Sequence, residues 1–398
     1  MRVLCATTAG AGHFAGLIPF ARACAQAGHE VRVAAPASFA GAVEDAGFVH
    51  EPLADADPGA LGAVFGRIPT LTMREADDLV VQEVFGRLDR DAALPGMRAA
   101  LDRWRPNVVL REPAELASYV AAHERGIPHV QTQIGLSVMD ERLLPLLDVP
   151  LQEIGCDSAA LRNAPRWTIV PPSFDVPSSS TGPVTYARDP ALDLATEVTA
   201  APLPNWWSPH ENDKPLVYVT FGSVAASIGL FPAFYTRVVE QLAEVPARVL
   251  LTLGQAGNLE DLGTLPPHVH VERWWPQRDV MPATSAVVGH GGFGTTQSTL
   301  AAGVPQVVLP LFSFDQFLNA ERAAVVGVGM ALVDSTAAER RAGDVVPRGP
   351  QATDRLAAGV LALLAEPQFT AAATAVATEM GGLPHIRTCV ASLDALTA

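Results

Sequence analysis

Short, nearly continuous apolar runs and longer mixed stretches follow one another along the first part of the chain. The runs at residues 2–7 and 30–35 are typical of buried strands, and the mixed stretch at 17–27 is typical of a helix. Gly10 and Gly12 lie in the turn between the first strand and this helix. The pattern therefore predicts a βαβ unit at the amino terminus.

The same order of patterns reappears further along the chain. Apolar runs at 216–221 and 248–253 predict two strands, and the stretch 231–243 between them predicts a helix. Strands that alternate with helices imply parallel sheets, which right-handed crossovers make doubly wound. We therefore predict an α/β protein with two Rossmann-like domains that face each other across a cleft, where ligands bind outside the carboxyl ends of the strands.

Composition suggests where these domains meet. Residues 200–215 contain four prolines beside several polar residues, which suits a linker. We predict a first domain at 1–200, a linker at 201–215 and a second domain at 216–375. The last segment, 376–398, is predicted to be helical and to pack back on the first domain.

The charge balance limits the partners. The chain has a net charge of -15, and nucleic acids or anionic membranes need a basic footprint, so neither is expected. No apolar run reaches the roughly 20 residues that span a bilayer. We expect a cytoplasmic protein, and a homodimer stays open.

Cysteine and histidine spacing gives no sign of a metal. The four cysteines are scattered without a Cys-x-x-Cys pair, which argues against a disulfide framework or a zinc knuckle and fits a reducing compartment. His268 and His270 share one strand face, but no third ligand lies nearby in sequence. We predict no metal site.

A glycine-rich turn at 290–298, His-Gly-Gly-Phe-Gly-Thr-Thr-Gln-Ser, joins an apolar strand at 285–289 to a helix that begins near Thr295. Glycines let the backbone approach a ligand, and the N–H groups at a helix N-terminus attract anions. Thr295 and Thr296 can add hydroxyl donors, and His290 can add an imidazole N–H. The turn thus predicts a diphosphate site, although a plain loop with helix-capping threonines would have a similar sequence.

A second glycine-rich turn, at residues 10–15, matches the dinucleotide fingerprint Gly-x-Gly-x-x-Ala. A nicotinamide or flavin enzyme would need an acidic residue near the end of the second strand, and residues 33–36 supply none. His13 lies in the turn instead, and an imidazole with a pKa near ~6.5 suits a general base. Helix capping or a loop hydrogen bond is the alternative explanation.

A base of this kind is usually oriented by an acid. Glu112 ends an apolar strand at 108–112, and its carboxylate could fix the tautomer of His13. Glu115 competes for that role. Pairing of Glu112 with Arg111 or water is the structural alternative.

Two further pairs of residues are ambiguous. The indoles of Trp274 and Trp275 could stack on a nucleobase or pack in the core. Asp315 and Gln316 could bind sugar hydroxyls or form a turn.

The order of these motifs resembles that of family 1 glycosyltransferases of the GT-B fold, and the resemblance spans nearly the whole chain. It is most similar to the bacterial branch that decorates natural products such as polyketides, enediynes and glycopeptides. The motifs that carry it are His13, Glu112, Gly222-Ser223, Trp274-x-Pro-Gln277, His290-Gly-Gly-x-Gly-Thr-Thr and Asp315-Gln316.

The resemblance implies an inverting transferase that needs no metal and no cofactor, with a nucleotide sugar as co-substrate. His13 would deprotonate an acceptor hydroxyl, and Glu112 would orient His13. The residues implied in nucleotide-sugar binding are Ser223, Trp274, Trp275, Gln277, His290, Gly292, Phe293, Gly294, Thr295, Thr296, Asp315 and Gln316.

One departure from the family pattern bears on the nucleotide. Members that use UDP-sugars often carry a glutamate eight residues after the motif histidine, where it bonds the ribose hydroxyls; here Ser298 occupies that position. A thymidine donor lacks the 2′-hydroxyl, and an unpartnered carboxylate would cost about 1–3 kcal/mol. The departure favours TDP over UDP.

The acceptor is expected to be a small hydrophobic metabolite. Candidate lining residues are Phe14, Phe65, Leu136 and Met139, each of which could instead belong to the core. Other hypotheses are a UDP-dependent or C-glycosylating member of the family, a nucleotide-sugar epimerase and a silent auxiliary partner.

Overall fold

The computed structural model describes residues 1–178, 181–192, 203–254, 256–334 and 352–397. The chain divides into two compact units. The first comprises Met1–Pro190 with Leu383–Ala398, and the second comprises Ala191–Gly382.

The first unit is built on a seven-stranded parallel sheet with the order β3-β2-β1-β4-β5-β6-β7. The apolar runs of the central strands are buried, because helices cover a parallel sheet. The strands are β1 Arg2–Ala6, β2 Glu30–Pro36, β3 Val49–Leu53, β4 Val108–Arg111, β5 His129–Thr132, β6 Arg166–Thr168 and β7 Val184–Tyr186.

Helices connect these strands, and a core formed by β1, β4 and several of the helices holds the unit together. The helices are α1 Ala11–Gln26, α2 Ala40–Asp45, α3 Pro58–Arg67, α4 Met73–Leu79, α5 Arg90–Trp104, α6 Ala117–His123, α7 Met139–Gln152 and α8 Ala159–Asn163. A π-helix, Val80–Asp89, joins α4 to α5 without a break. Short 3₁₀ turns lie at Ala37–Phe39, Ile68–Thr70 and Pro190–Leu192.

The second unit has a six-stranded parallel sheet with the order β10-β9-β8-β11-β12-β13. Its strands are β8 Leu216–Thr220, β9 Arg248–Thr252, β10 Val269–Glu272, β11 Thr284–Gly289, β12 Gln306–Val308 and β13 Gly329–Ala331. Its helices are α9 Pro209–Asn212, α10 Ala233–Leu242, α11 Gln277–Val280, α12 Phe293–Ala301, α13 Phe314–Val326, α14 Leu356–Ala365 and α15 Pro367–Gly382. Turns of 3₁₀ helix lie at Ala225–Ile228, Leu259–Leu262, Met281–Ala283 and Thr353–Arg355.

The predicted alternation of strands and helices is confirmed in both units. The first helix begins at Ala11 rather than near residue 17, because Gly12 and Gly16 do not interrupt it.

The unit boundaries differ from the predicted domain boundaries. The second unit begins at Ala191, and the described part of the predicted linker, 203–215, belongs to it. Its described part packs through Trp207, which is buried with Leu216 and Tyr218. The prolines of this segment suggested a linker, but burial of the indole holds it in the second unit. Residues 193–202, where the predicted first domain ends, lie outside the described residues.

The carboxyl-terminal segment predicted at 376–398 is divided at Gly382. Residues up to Gly382 form the end of α15, whose Val376 and Met380 are buried in the second unit. The sequence Gly-Gly-Leu-Pro at 381–384 then ends the helix. The remaining residues join the first unit, where α16 (Arg387–Ala391) contacts α1, and α17 (Leu393–Thr397) contacts β4.

Among the described residues, no single helix is long and apolar enough to span a membrane. Thr353–Ala365 and Pro367–Gly382 reach the required length and composition only as a pair, and the pair is bent by 74°.

Candidate active site

Each sheet has one point at which the strand order reverses, and ligands of doubly wound sheets bind beyond the strand ends at such points. In the first unit this point lies between β1 and β4. His13 lies in the first turn of α1, just after β1, and Glu112 directly follows β4. The fold therefore brings two residues together that are 99 positions apart in the chain.

The two side chains form a close pair. His13 Nδ1 lies 3.0 Å from Glu112 Oε2, and the ring is 27% exposed whereas the carboxylate is fully buried. The N–H of Thr8 donates to Glu112 Oε1 at 3.1 Å, and the N–H of Ala114 donates to Oε2 at 2.7 Å. The carboxylate is thus held in place by backbone groups from two strand ends.

These contacts determine the charge of Glu112. Burial by itself would raise the pKa of this carboxyl. The attraction of His13 and the hydrogen bonds from His13, Ala114 and Thr8 outweigh burial, so the pKa of Glu112 lies below its ordinary value. An ionised Glu112 accepts a hydrogen bond from Nδ1–H, which leaves Nε2 as the basic nitrogen of the ring.

Glu115, the competing candidate, does not orient His13. Its carboxylate accepts hydrogen bonds from the N–H and the hydroxyl of Ser118 at the start of α6. Burial raises its pKa to about 7, against the opposing effects of Ser118 and Arg111. Arg111 does not pair with Glu112 either, because its guanidinium donates to Gln131 Oε1 and to the carbonyls of Glu115 and Pro113.

The predicted acceptor residues fall into two groups. Phe14 and Leu136 are each only 3% exposed, and the Phe14 ring packs edge-on against Phe39 at 5.8 Å. These two belong to the core and present no open surface, which corrects the prediction for them. Phe65 is 47% exposed and Met139 is half-buried, so both remain accessible.

Sequence patterns missed an aromatic residue that touches His13. The ring of Phe85, in the π-helix, lies 5.5 Å from the imidazole ring, centroid to centroid. A π-helix does not follow the 3.6-residue period on which helix prediction rests, so no periodicity could show which face of this segment points inward.

In the second unit the strand order reverses between β8 and β11. Gly222 and Ser223 follow β8, and His290 follows β11, so the glycine-rich motif lies where the fold favours ligands. Helix α12 begins at Phe293 with Gly292 at the N-cap, which has no side chain to cap the helix. Its first N–H groups point out of a helix N-terminus, where anions bind.

The ring of His290 is enclosed by glycines. A Cβ atom at Gly292 would lie 2.4 Å from His290 Nε2, and one at Gly222 would lie 2.9 Å from Cε1. The ring of Phe312 stacks at a centroid distance of 6.1 Å. With His290 only 8% exposed, burial lowers its pKa to about 4, although a backbone hydrogen bond at Thr220 opposes the shift. The imidazole is therefore neutral at ordinary pH.

Three buried polar atoms of the motif lack partners among the described residues: His290 Nδ1, Thr296 Oγ1 and Gln297 Oε1. Buried polar groups are nearly always hydrogen-bonded, so such atoms indicate a missing ligand. Gln277, the first residue of α11, donates from Nε2 to Thr295 Oγ1 at 2.9 Å, which links two more predicted residues next to the start of α12. This set of neutral donors suits a phosphate group.

The two adjacent tryptophans have different roles. Trp274 is 64% exposed and is available to stack on a planar ligand. Trp275 packs against Trp206, with ring centroids 4.7 Å apart in an edge-on geometry, beside the core that contains Trp207. Trp275 therefore packs within the second unit, but its buried indole Nε1 has no partner among the described residues, so its role as a ligand contact stays a prediction.

Gln316 was predicted to bind sugar hydroxyls, but its amide oxygen accepts the N–H groups of Leu311 and Phe312 at 2.9 and 3.2 Å. Its main contact is thus with its own loop. Asp315 accepts a hydrogen bond from the hydroxyl of Ser313. Asn319, which no motif indicated, donates from Nδ2 to the carbonyl of Gly291 at 2.7 Å and so fixes the glycine-rich turn.

Comparison with known proteins gives matches over nearly the whole chain. Two models of the erythromycin biosynthesis protein CIII-like family match the chain, the N-terminal domain at residues 22–144 and the C-terminal domain at residues 236–396. An elloramycin glycosyltransferase of Streptomyces olivaceus is 33% identical, with 96% of this chain and 94% of the relative covered.

A TDP-daunosamine transferase of Streptomyces peucetius is 27% identical, with 100% of this chain and 97% of the relative covered. Among solved structures, the glycosyltransferase SnogD from Streptomyces nogalater is 26% identical with a TM-score of 0.73, covering 100% of this chain and 99% of that one. The chain therefore belongs to the bacterial natural-product branch of the family 1 glycosyltransferases and has the GT-B fold.

Proposed function

We propose that this glycosyltransferase is an inverting, metal-independent enzyme that moves a deoxygenated sugar from a TDP-sugar donor to a hydroxyl of a hydrophobic secondary metabolite. The observation that carries the proposal is the pair formed by His13 Nδ1 and the buried Glu112 carboxylate, 3.0 Å apart. A histidine held by an ionised acid is the arrangement that general-base catalysis requires.

The reaction step follows from this pair. His13 Nε2 takes the proton of the acceptor hydroxyl, and the oxygen attacks the anomeric carbon as the bond from that carbon to the diphosphate oxygen breaks. The diphosphate leaves with the electron pair, and one displacement inverts the anomeric carbon. Glu112 stabilises the imidazolium that forms on His13.

The leaving diphosphate gains negative charge, and the second unit offers donors for it. The proposed contacts are the N–H groups at the start of α12, the hydroxyl of Thr296 and the ring of His290. Because the pKa of His290 is lowered to about 4, this ring would act as a neutral donor rather than as a cation. Such preset dipoles stabilise developing charge without reorganisation at the moment of reaction.

Two observations support TDP over UDP as the nucleotide. Ser298 occupies the position at which UDP-dependent members often carry a glutamate, so the carboxylate that would hold a ribose 2′-hydroxyl is missing. The relative from Streptomyces peucetius is a TDP-daunosamine transferase by name. A relative from Streptomyces galilaeus, 28% identical, is by name a 2-deoxy-L-fucose transferase, which favours a deoxygenated sugar.

The hydrophobic acceptor is supported by the residues around His13. Phe85 packs against the imidazole, and the half-exposed Phe65 lies on α3, which contacts the π-helix. The elloramycin glycosyltransferase is named for a natural product, as expected if such acceptors are common among the relatives.

Calorimetric titration with TDP and UDP tests the donor assignment without knowledge of the acceptor. The informative variant is Thr296→Val, which removes an unpartnered buried hydroxyl and keeps the shape of the side chain. The matched control is Thr299→Val on the same helix, because the Thr299 hydroxyl already donates to the carbonyl of Thr295.

We expect TDP to bind the wild type and the control with similar affinity and to bind Thr296→Val about tenfold more weakly. UDP should bind the wild type more weakly than TDP. If neither nucleotide binds the wild type, the transferase assignment loses its donor site, and a silent auxiliary role becomes the better explanation.

A further inference from the structure

The helix from Met73 to Trp104 changes from α-helical to π-helical geometry in its middle. Residues Val80–Asp89 form a π-helix between α4 and α5. Such segments are rare, are mostly a single turn long, and occur frequently at functional sites. A stretch of ten residues is long for this conformation, so we looked for contacts that stabilise it.

Packing against α7 holds the segment. A Cβ atom on Gly86 would lie only 3.0 Å from Cγ of Pro150, so the π-helix approaches α7 closely at this glycine. Just beyond the segment, the guanidinium of the buried Arg90 donates to the carbonyl of Pro150 at 2.5 Å. The π-helix is therefore anchored at its middle and at its end.

This anchored segment turns one face toward His13. Phe85 contributes the ring that packs 5.5 Å from the imidazole. Asp89 follows four residues later, and in a helix that bonds residue i to i+5, residues about four to five apart share a face. Asp89 is half-buried and interacts electrostatically with His13, Glu112 and Asp55.

The carboxylate of Asp89 forms no hydrogen bond or ion pair with the part of the chain that the structure describes. Its neighbours in the helix are already paired: Arg87 with Glu83 and Glu153, and Arg90 with Asp91. Burying a carboxylate without a partner lowers the stability of the fold. A residue that is kept at such a cost is a candidate for a functional role.

We propose that Asp89 is a second acidic positioning residue for the reaction: together with Glu112 it stabilises the imidazolium that forms on His13 when the acceptor hydroxyl is deprotonated. This inference rests on the proposed role of His13 as the base. Glu112 holds the ring through Nδ1, whereas Asp89 acts through space from the π-helix. Two carboxylates around one imidazole make the ring a stronger base than one carboxylate would.

The charge of Asp89 is itself tunable. Burial raises the pKa of this carboxyl to about 6, Glu112 and Asp55 raise it as well, and His13 lowers it. Asp89 is thus mostly ionised at pH 7 and loses its charge just below. Because Asp89 and His13 interact electrostatically, the charge of one affects the protonation of the other.

The other charges near this face are accounted for by partners. Beyond Glu112, Arg111 is bonded to Gln131 and to backbone carbonyls. On α7, Arg142 pairs with Asp78 of α4. Asp55, in the segment after β3, accepts from the N–H and the hydroxyl of Ser38. Asp89 is therefore the carboxylate on the π-helix whose charge is not already taken up by a neighbouring arginine.

The test is an NMR titration of histidine side chains in the full-length protein without ligands, with the His13 signal assigned by its loss in His13→Gln. The variant is Asp89→Asn, which keeps the shape and removes the charge. The matched control is Glu83→Gln on the same π-helix, whose carboxylate pairs with Arg87. Asp89→Glu is the conservative variant, and Asp89→Ser is a second neutral one should the asparagine variant fold poorly.

Removing the Asp89 charge destabilises the protonated ring, so the midpoint of the His13 titration should move to lower pH by about half a unit or more in either neutral variant. Glu83→Gln should leave the midpoint unchanged, and Asp89→Glu should largely restore it. An unchanged midpoint in a folded neutral variant would overturn the inference.

A second measurement follows the rate of transfer from a TDP-linked 2-deoxysugar to the best acceptor of a polycyclic-phenol screen. In Asp89→Asn the acidic limb of kcat/KM should move to lower pH while the plateau falls about three- to tenfold, because the base is weaker. A lower plateau with an unmoved limb would overturn the inference, since that is the result expected of an acceptor contact or a packing defect. The NMR shift requires only that the charge of Asp89 acts on the ring of His13. The shift is therefore expected even if His13→Gln retains activity and the base assignment fails.

Discussion

His13 and His290 occupy corresponding places in the two units. Each follows a central strand at the point where the strand order of its sheet reverses. Their surroundings differ: His13 bonds a buried carboxylate, whereas His290 is enclosed by glycine backbone and the ring of Phe312. The comparison shows that the residues around an imidazole, rather than its position after a strand, determine whether the ring can take up a proton.

The physical cause is the effect of each surrounding on a positive charge. Negative neighbours stabilise an imidazolium, so His13 can accept a proton and keep it during the reaction. Burial without a negative neighbour destabilises an imidazolium, and the pKa of His290 falls to about 4. His13 is therefore suited to proton transfer, and His290 is suited to hydrogen bonding without change of charge.

The largest effect is expected from exchanging the two histidines for glutamine, one at a time. His13→Gln should lower kcat about 10²–10⁴-fold and leave TDP affinity unchanged, because the base is lost and the donor site is intact. His290→Gln should instead weaken TDP binding about tenfold. Calorimetry and transfer assays on both variants check this, and a His13→Gln variant with normal turnover would end the distinction between the two sites.

The next effect isolates the acid of the first pair. Glu112→Gln keeps the shape of the side chain and removes the charge that stabilises the imidazolium, so kcat should fall about 100-fold with little change in TDP affinity. Glu51→Gln serves as a control, because Glu51 is a buried carboxylate of the same sheet that pairs with Arg32. Equal losses in the two variants would point to a general effect on folding.

The enclosure of His290 can be tested with two glycines of one motif. Gly292→Ala would place a Cβ 2.4 Å from His290 Nε2, whereas a Cβ at Gly294 meets nothing within 4 Å. Gly292→Ala should displace the ring and weaken TDP binding by about 1–3 kcal/mol, and Gly294→Ala should bind TDP within about 0.5 kcal/mol of the wild type. Similar titrations of the two variants would show that ring placement does not matter for the nucleotide.

Acid stability should reveal the buried, neutral histidines. The pKa of His290 is lowered to about 4 by burial, and burial with Arg111 and Arg166 lowers the pKa of His129 in the first unit to about 3. In the unfolded chain both imidazoles take up a proton at a pKa of about 6.5, whereas in the folded protein they stay neutral to lower pH. The free energy of unfolding should therefore fall as the pH drops from about 6.5 to 4.

Each ring contributes a slope of about 1.4 kcal/mol per pH unit in that range. Urea unfolding of the wild type and of His290→Gln at several pH values measures it. In the variant, the slope of the unfolding free energy against pH should be smaller by about 1.4 kcal/mol per pH unit, which corresponds to one proton. An identical slope would show that His290 is protonated in the folded protein.

The smallest effect concerns nucleotide choice. Ser298→Glu introduces the carboxylate that UDP-dependent members often carry, so it should improve UDP binding and weaken TDP binding, each by a few-fold. Competition between the two nucleotides in the same titration cell measures the ratio. A ratio that does not move would remove Ser298 from the argument for TDP.

Local patterns in the sequence were sufficient for several parts of the protein. Apolar runs predicted β1, β2, β8 and β9 to within a residue or two, because a buried parallel strand must be apolar on both faces. The glycine-rich turn at 290–298 predicted a strand, a turn and a helix N-terminus, since glycines and a following helix constrain the backbone locally.

Other features depended on contacts that no local pattern contains. Glu112, rather than Glu115, orients His13 because the fold brings together residues 99 positions apart. Trp275 packs while Trp274 is exposed, because Trp206 from an earlier part of the chain covers Trp275. The membership of 203–215 in the second unit depends likewise on where Trp207 is buried.

The sequence by itself therefore determined the class of fold, the family and the positions of both histidines, because periodicity and glycine spacing act over a few residues. Only the tertiary structure decided that one histidine bonds the carboxylate that follows β4 and interacts electrostatically with Asp89 of the π-helix, while the other is enclosed by Gly222 and Gly292. The reason is physical: the charge of an imidazole depends on burial and on charges within several ångströms, and these are supplied by residues far away in the chain.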